Sequence, residues 1–468
     1  MSLTYKQRHL PSQWYQLFFW TILYLLTSTT AFAAEPVGSV TFSRGTVAAH
    51  TEGQKPRLLG QNADVFEGDN IQTSERSFVV ISFLDNTKIT VRPNSSFSIA
   101  QYRHQAQQDT AKFELHQGGI RASSGDIANN NPEDFQIITP DTSIKAQQAD
   151  FSVRVCQQQS CQVEEDNLQK GAAIIKKEVI ARVVEIKGLV VAANTENQTQ
   201  DKRPLSVGAP LYSADTLTSE KNGYAVIAFK DKGRMTLEPD SQFAIKEYHF
   251  NEVGENNKAL YNLVTGGMRV LTGSIGKADE QAYGINTPVA TIGIRGTGFD
   301  LLERGKGLHS KVWQGTIAQT NDAGTTLLSA PHANYIKDKF SKPTDIDDIE
   351  TNGPRPDQVA ITNENELFSY IQLDNTRPGT YVDVHSGHVQ VADSDGTPVD
   401  LGRNESSYTD KSSKTERTER PPEFMIQDSY PLPNNKFDEK TAGTLTYSLL
   451  ADSVNILVDA ELYQCVCK

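Results

Sequence analysis

The sequence predicts an all-β protein built from two copies of one domain, and three observations carry that prediction. First, the stretch from Asp69 to Ile99 recurs from Asp215 to Ile245 at a constant offset: Asp85, Thr90, Pro93, Ser95 and Phe97 align with Asp231, Thr236, Pro239, Ser241 and Phe243. Second, apolar residues follow a period of two, as in Lys88-Ile-Thr-Val-Arg92 and Arg234-Met-Thr-Leu-Glu238, which sends successive side chains to opposite faces of a sheet. Third, turn-forming pairs interrupt these runs at short intervals, and neither copy contains a long apolar stripe of helical period. The repeat is far longer than that of a solenoid, so each copy is a domain.

The elements follow in order. Lys6 and Arg8, the apolar run Leu17 to Leu26 and the small-residue site Ala31-Phe-Ala33 have the three-part form of a secretory signal peptide over residues 1–33, with Ala34 as the first mature residue. The apolar core is short for a membrane span; a retained leader is the alternative. The first copy is expected over residues 37–163. Its Phe78–Leu84 run is apolar on both faces, as in a doubly buried strand, and Asp85-Asn86, Arg92-Pro-Asn94 and Gly118-Gly119 mark turns. Cys156 and Cys161 follow a strand-like segment and are expected to form a disulfide clipping a hairpin in an oxidising compartment. Zinc would need further ligands, and no second cluster lies nearby in sequence. A polar connector, Glu164–Lys177, precedes the second copy.

The second copy is expected over residues 182–402, with an insertion at about 305–378 and closing strands at Thr380–Val391 and Val399–Gly402. Val312–Ile317 also has the pattern of a closing strand, so this boundary has two readings. Residues 403–422, rich in Ser, Thr, Lys, Glu and Arg and ending in Pro421-Pro422, read as a flexible linker, and residues 423–468 as a C-terminal segment. Helices are expected only around residues 363–370 and 442–460. Cys465 and Cys467 have no assignable partner.

These motifs resemble the FecR-type domain, an all-β periplasmic module. The first copy supplies Gly45-Thr-Val47, Gly68-Asp-Asn-Ile-Gln-Thr73, Asp85-Asn-Thr87, Pro93-Asn-Ser95, Gly118-Gly-Ile-Arg121 and Thr139-Pro140. The second supplies Gly188-Leu-Val190, Pro239-Asp-Ser241, Gly266-Gly-Met-Arg269, Thr287-Pro288 and Ile294-Arg-Gly-Thr-Gly-Phe299. The resemblance implies two FecR-like β domains with β-helix-like or barrel-like sheets. It also implies a role in binding or scaffolding at the cell envelope, in the setting of envelope signalling. The best-known members couple an outer-membrane signal to a sigma factor through a cytoplasmic segment and a transmembrane helix, so that role would require a retained leader here. Where the second copy has Ile294-Arg-Gly-Thr297, the first has Ala146-Gln-Gln-Ala149, which predicts a relaxed corner or contact surface in the first copy.

Composition bounds the function. The formal charge is −13, and loss of Lys6 and Arg8 with the leader makes the mature chain more acidic. Such a balance argues against nucleic-acid partners, whose binding rests on Lys and Arg contacts to phosphate. There is no Gly-x-Ser-x-Gly, no His-Glu-x-x-His, no phosphate loop and no triad that sequence alone assembles, so no enzyme and no cofactor are expected. His385-Ser-Gly-His388 reads as a hairpin turn flanked by surface histidines, Asp393-Ser-Asp-Gly-Thr397 as a hairpin, and Asp345–Glu350 as a solvated acidic loop. The candidate binding residues are Arg295, Gly296, Thr297 and Phe299, with Arg295 as the anchor for an envelope protein partner. A carbohydrate- or peptidoglycan-binding module is the second reading.

Overall fold

The computed structural model describes residues 35–433, apart from 106–107, 158–177, 195–201, 255, 306, 362–363, 374–376, 393–397, 413, 427, 429 and 431–432. The described chain is dominated by strands, arranged in two sheets of like plan.

In the first copy, Gly38–Arg44, Phe78–Phe83 and Lys88–Val91 form one antiparallel layer, and Val47–His50, Asn70–Thr73 and Ser96–Arg103 another. The long strand Thr110–Ser123 joins them, its first half paired to Ser96–Arg103 and its second to Lys88–Val91. It changes layers at Gly118, whose φ of +82° L side chains rarely adopt and whose added Cβ would lie 2.2 Å from Ser95 Oγ. A second long strand, Ser143–Cys156, runs antiparallel to it, from Asp150 opposite Ser123 to Val155 opposite Gly118. The sheet therefore folds over on itself around Phe113, whose ring meets those of Phe83, Phe97 and Phe135 at 4.9–5.9 Å between centroids. Phe78–Phe83 is buried on both faces but for Ser82, as its unbroken apolar run predicts.

The second copy repeats the plan with Tyr224–Phe229, Arg234–Leu237, Gln242–His249, Lys258–Leu271 and Thr291–Glu303. Tyr261 takes the place of Phe113, and Gly266 (φ +85°) that of Gly118. The aspartate that opens each repeat has its own ion pair: Arg57 with Asp69 in the first copy, Arg203 with Asp215 in the second.

The closing strands depart from the sequence expectation. Leu308–Asn321 pairs with Thr291–Glu303 from Glu303 opposite Leu308 to Thr291 opposite Thr320, and Gly324–Ser329, Ala333–Ile336 and Thr344–Ile346 extend that sheet. The first part of the expected insertion is thus the second copy's own edge. Gly379–Ala392 instead pairs with Ser143–Cys156 of the first copy, from Cys156 opposite Gly379 to Ser143 opposite Ala392, and brings Pro398–Gly402 and Ser406–Asp410 with it. The second copy is therefore inserted into the first. Period-two patterning fixes which face of a strand is buried but not which partner it takes, and both candidate strands carry the pattern.

Three smaller readings change as well. Residues 403–422 are no linker: Ser406–Asp410 and Thr415–Thr418 are paired strands, and their inward hydroxyls satisfy one another (Thr409 with Thr415 at 2.9 Å, Ser406 with Thr418 at 2.6 Å). Polar composition hid a segment whose threonines and tyrosine suit a sheet. His385-Ser-Gly-His388 is no turn either. It lies within Gly379–Ala392, where Gly387 (φ +74°) forms a bulge opposite Gln148 (φ +46°). The first copy therefore keeps the corner that its lost Gly-Thr motif predicted to be relaxed, with glutamine in the left-handed region. The helix expected near 363–370 is the single 3-10 turn Glu364–Glu366. Residues 442–460, Cys465 and Cys467 lie outside the described residues. So do residues 393–397, although the strands on either side of them pair as a hairpin requires.

The inserted copy is locked to its host by a buried ion pair. Arg182 Nη2 lies 2.6 Å from Glu405 Oε1, with both side chains sealed from solvent. Arg182 also donates to the carbonyls of Leu367 (2.5 Å) and Gly208 (3.0 Å), and Tyr370 Oη donates to Glu405 at 2.7 Å. Burial pushes the Glu405 carboxyl up, but Arg182 outweighs it and holds the group at about 2. Glu405 thus contributes stability that is present above its ordinary value of 4.5 and is lost as pH falls from there through about 2. Glu405→Gln is expected to cost about 3–5 kcal/mol in urea denaturation by leaving Arg182 buried and unpaired. Arg182→Met with Glu405→Leu should recover most of that loss; no recovery would show that the pair is not what holds the junction. Gly118→Ala and Gly266→Ala should each cost at least about 1–2 kcal/mol, read in the same experiment, because alanine is strained in the left-handed region before any clash with Ser95 or Ser241 is counted.

Candidate functional site

The bend at Gly118 and Gly266 sets the geometry of one outer face on each copy. Beyond it the strand alternates. Ile120 and Ala122 in the first copy, and Met268 and Val270 in the second, enter the core, so Arg121 and Arg269 project from the opposite side. The second glycine of each pair is closely packed: an added Cβ on Gly119 would lie 2.3 Å from Arg154 Cδ, and one on Gly267 would press on Glu238 Cγ at 3.0 Å. Ser95 Oγ accepts from Gly119 N at 2.9 Å and Ser241 Oγ from Gly267 N at 2.7 Å, which pins both bends alike.

Cross-strand register assembles each face. Thr90 and Ser152 lie opposite Arg121, and Asp383 opposite Ser152. Thr236 and Asp300 lie opposite Arg269, and Lys311 opposite Asp300. Position by position, Arg92 answers to Glu238, Arg121 to Arg269, Ser152 to Asp300 and His385 to Trp313.

A stretch of the chain lies over each face. Over the second copy it is residues 352–359. Glu238 accepts from Asn352 N (2.6 Å) and Gly353 N (3.0 Å), Arg269 Nη1 donates to Gly353 O (2.9 Å), Thr236 Oγ1 to Pro354 O (2.8 Å) and Arg234 Nη1 to Val359 O (3.2 Å). Arg355 stacks on Trp313 at 4.0 Å. Over the first copy it is Glu423–Ile426 together with Asp428 and Tyr430. Arg121 Nη1 donates to Asp428 O (3.1 Å) and Tyr430 O (2.5 Å), and Arg92 Nε and Nη2 reach the Asp428 carboxylate at 2.8 and 3.0 Å. The Arg92 guanidinium lies over the Tyr430 ring at 4.9 Å and that of Arg154 over Phe424 at 5.4 Å. In both copies, then, the arginine of Gly-Gly-x-Arg donates to the main-chain carbonyl of a strap.

The electrostatics of the two faces differ. Arg269 is met by a carboxylate of its own sheet, with Nε 3.0 Å from Asp300 Oδ1 and Nη2 3.3 Å from Oδ2. Burial raises Asp300 above the usual carboxylate range despite that pairing. In the first copy Ser152 stands at this position and hydrogen-bonds His385 Nε2 at 2.9 Å. Burial first and Arg121 second hold His385 down at about 4, so the imidazole is neutral at neutral pH. Arg121 Nε is buried with no hydrogen-bond partner among the described residues.

The sequence-predicted site divides. Phe299 is a fully buried core residue. Thr297 is buried beside the bulge, its N donating to Thr272 Oγ1 at 2.9 Å and its O accepting from Thr272 N at 3.0 Å. Gly296 (φ +63°) forms the bulge, and the Arg295 backbone pairs with Thr316; the Arg295 side chain lies outside the described residues. Cys156 ends its strand as a buried residue, and Cys161 lies outside the described residues. The sequence reading missed Ser206, His388 and Asp400, which meet at the junction between copies. His388 Nδ1 is 2.8 Å from Ser206 Oγ, and its Nε2 is 3.0 Å from Asp400 Oδ1. These are the residue types of a hydrolytic triad, but the geometry is that of a packed contact: the serine also sits 3.2 Å from Nε2, and an added Cβ on Gly208 would lie 1.8 Å from Asp400. Among the described residues no group of three or more His, Cys, Asp or Glu is placed to hold a metal, and no helix is long and apolar enough to cross a membrane.

Comparison with known proteins agrees with the repeat. The model of the family described as FecR protein matches residues 69–166 and 215–318. No curated protein matches. Among solved structures, two of "a putative anti-sigma factor from Parabacteroides distasonis ATCC 8503" match at 10% and 9% identity, with TM-scores of 0.24 and 0.23. Each match covers 28% of this chain and 58% of the other, so the chain spans little more than half the length of that protein. The first family match stops at 166 and resumes only in the second copy, as it must where the host domain's closing strands lie beyond the inserted one. The chain carries two FecR-type copies, the second nested in the first.

Proposed function

We propose that this is a non-enzymatic, exported binding protein of the cell envelope, periplasmic in location, whose FecR-type copies grip extended protein segments across their outer faces. One observation carries this reading: Arg121 and Arg269, at equivalent positions, each donate to a main-chain carbonyl of a segment laid over the face. Recognition through the main chain tolerates many sequences, while neighbouring side chains supply selectivity. A charge-assisted hydrogen bond of this kind contributes about 1.5–3 kcal/mol, enough to anchor a peptide. The family supports a setting in envelope signalling, and the acidic composition favours a protein partner over nucleic acid. Direct control of a sigma factor would additionally require a retained leader.

Pull-down from envelope extracts tests the reading. Arg121→Ala should reduce partner capture about tenfold or more, equivalent to about 1.4 kcal/mol, while the melting temperature stays within a few degrees. Arg295→Ala, run beside it, should weaken capture at a nearly unchanged melting temperature if that side chain is a contact, and should lower the melting temperature if it only pins its turn. A wild-type bait that recovers no protein but binds isolated glycan would replace this reading with the carbohydrate one. Export makes its own prediction: secreted material should begin at Ala34, and non-reducing peptide mapping should link Cys156 to Cys161. An intact Met1 in a membrane fraction, or two free thiols, would refute these assignments.

A further inference from the structure

We propose that the arginine face of the first copy is a binding site for an extended peptide bearing a carboxylate, held closed by the chain's own Phe424, Asp428 and Tyr430. This rests on the peptide-gripping reading above and identifies the copy that exchanges its ligand and the chemistry that ligand requires.

The argument is a comparison of equivalent positions. On the second copy every nitrogen of Arg269 has an acceptor: Nε and Nη2 on Asp300, and Nη1 on Gly353 O. Its carboxylate belongs to the sheet and cannot leave, so this face is permanently neutralised. The first copy has neither acid. Ser152 replaces Asp300, and Arg92 replaces Glu238, which adds a cation where the second copy has an anion. The groups facing this site are Arg92, Arg121, Arg154, Asp383, His385 and the strap's Asp428. The carboxylate that reaches Arg92 comes from the strap, and Asp428 accepts from Arg121 through its carbonyl while its carboxylate acts on Arg121 only through space. The strap therefore fits imperfectly, because Arg121 Nε remains buried without a hydrogen-bond partner among the described residues. A buried unpaired donor on a cation is costly, and a ligand that fills it gains over the strap. Such a ligand places a carboxylate against Arg121 as Asp300 does against Arg269, and it presents aromatic groups to Arg92 and Arg154 where Tyr430 and Phe424 now lie.

The test uses the full chain and a fluorescent synthetic peptide with the sequence of residues 421–433. Asp428→Asn with Tyr430→Ala opens the face, and fluorescence anisotropy should show the peptide binding this variant at least about tenfold more tightly than wild type, the effect of one displaced charged contact. Adding Arg121→Ala should abolish the gain. Adding Ser152→Asp in its place should also abolish it, since this gives the first copy the carboxylate that closes the second, and should raise the melting temperature. Equal affinity in wild-type and opened proteins, or binding that survives Arg121→Ala, would overturn the proposal. If the opened variant does not fold, a specific protease site inserted after Glu419 leaves every native residue in place. Exchange of the cut segment for labelled peptide then supports the site, and a cut segment that never exchanges overturns it. Peptide exchange without capture of any envelope protein would retain the site and reject the partner reading; capture without exchange would do the reverse.

Discussion

The fold depends on the pairing of Ser143–Cys156 with Gly379–Ala392. Phe151 lies opposite Val384 and Val153 opposite Val382, and all four enter the core of the first copy. A slip of one residue would turn these side chains out and bring Ser152, Arg154, Asp383 and His385 in, so the core itself enforces the register. The same alternation builds the candidate site, because the residues excluded from the core are those that line the outer face. The pairing closes a loop that contains the whole second copy. The entropy of such closure grows only slowly with loop length, and a loop that is itself a folded domain costs less than a disordered one of equal size. Nesting one domain in another is therefore affordable, provided that both junction strands are held. The Arg182–Glu405 pair supplies a second tie between host and insert.

The copies share the plan of their cores and bends, and they differ in charge on one outer face. Phe97 and Phe243, Gly118 and Gly266, and Ser95 and Ser241 occupy the same places and make like contacts. On the outer face, serine stands against aspartate, arginine against glutamate and histidine against tryptophan. Each of these changes removes negative charge or aromatic surface from the first copy. The result is a surface with three arginines and one acid of its own sheet, Asp383, to which the strap adds Asp428.

Much of this was legible in the sequence, and the rest was hidden for physical reasons. The offset between Asp85 and Asp231 and the Gly-Gly-x-Arg motifs located both copies and their bends, because turns and alternation are local properties. The nesting was not legible. Val312–Ile317 and Thr380–Val391 look alike as strands, and the choice of partner is a long-range matter; two closing strands offered to one copy was the one available sign. Residues 406–418 read as linker because Ser, Thr and charged residues dominate them, yet paired hydroxyls make such a strand buriable. Arg121 stood in plain view within its motif. Its surroundings were not legible, because Ser152 and Arg92 are single residues that attract no notice until a sheet sets them beside an arginine.

The strap's position follows from the nested topology. Thr415–Thr418 pairs with Ser406–Asp410, which pairs with Gly379–Ala392, so the chain leaves the sheet close to the face that Asp428 occupies. A short tether of this kind gives its end an effective concentration in the millimolar range. A segment need not be a good ligand to fill its site under that condition, which accounts for a strap that remains in place while Arg121 Nε has no hydrogen-bond partner among the described residues. The same arithmetic sets the demand on any competitor. It must outbid a tethered, imperfect ligand, and the contact the strap fails to make is the one through which it can.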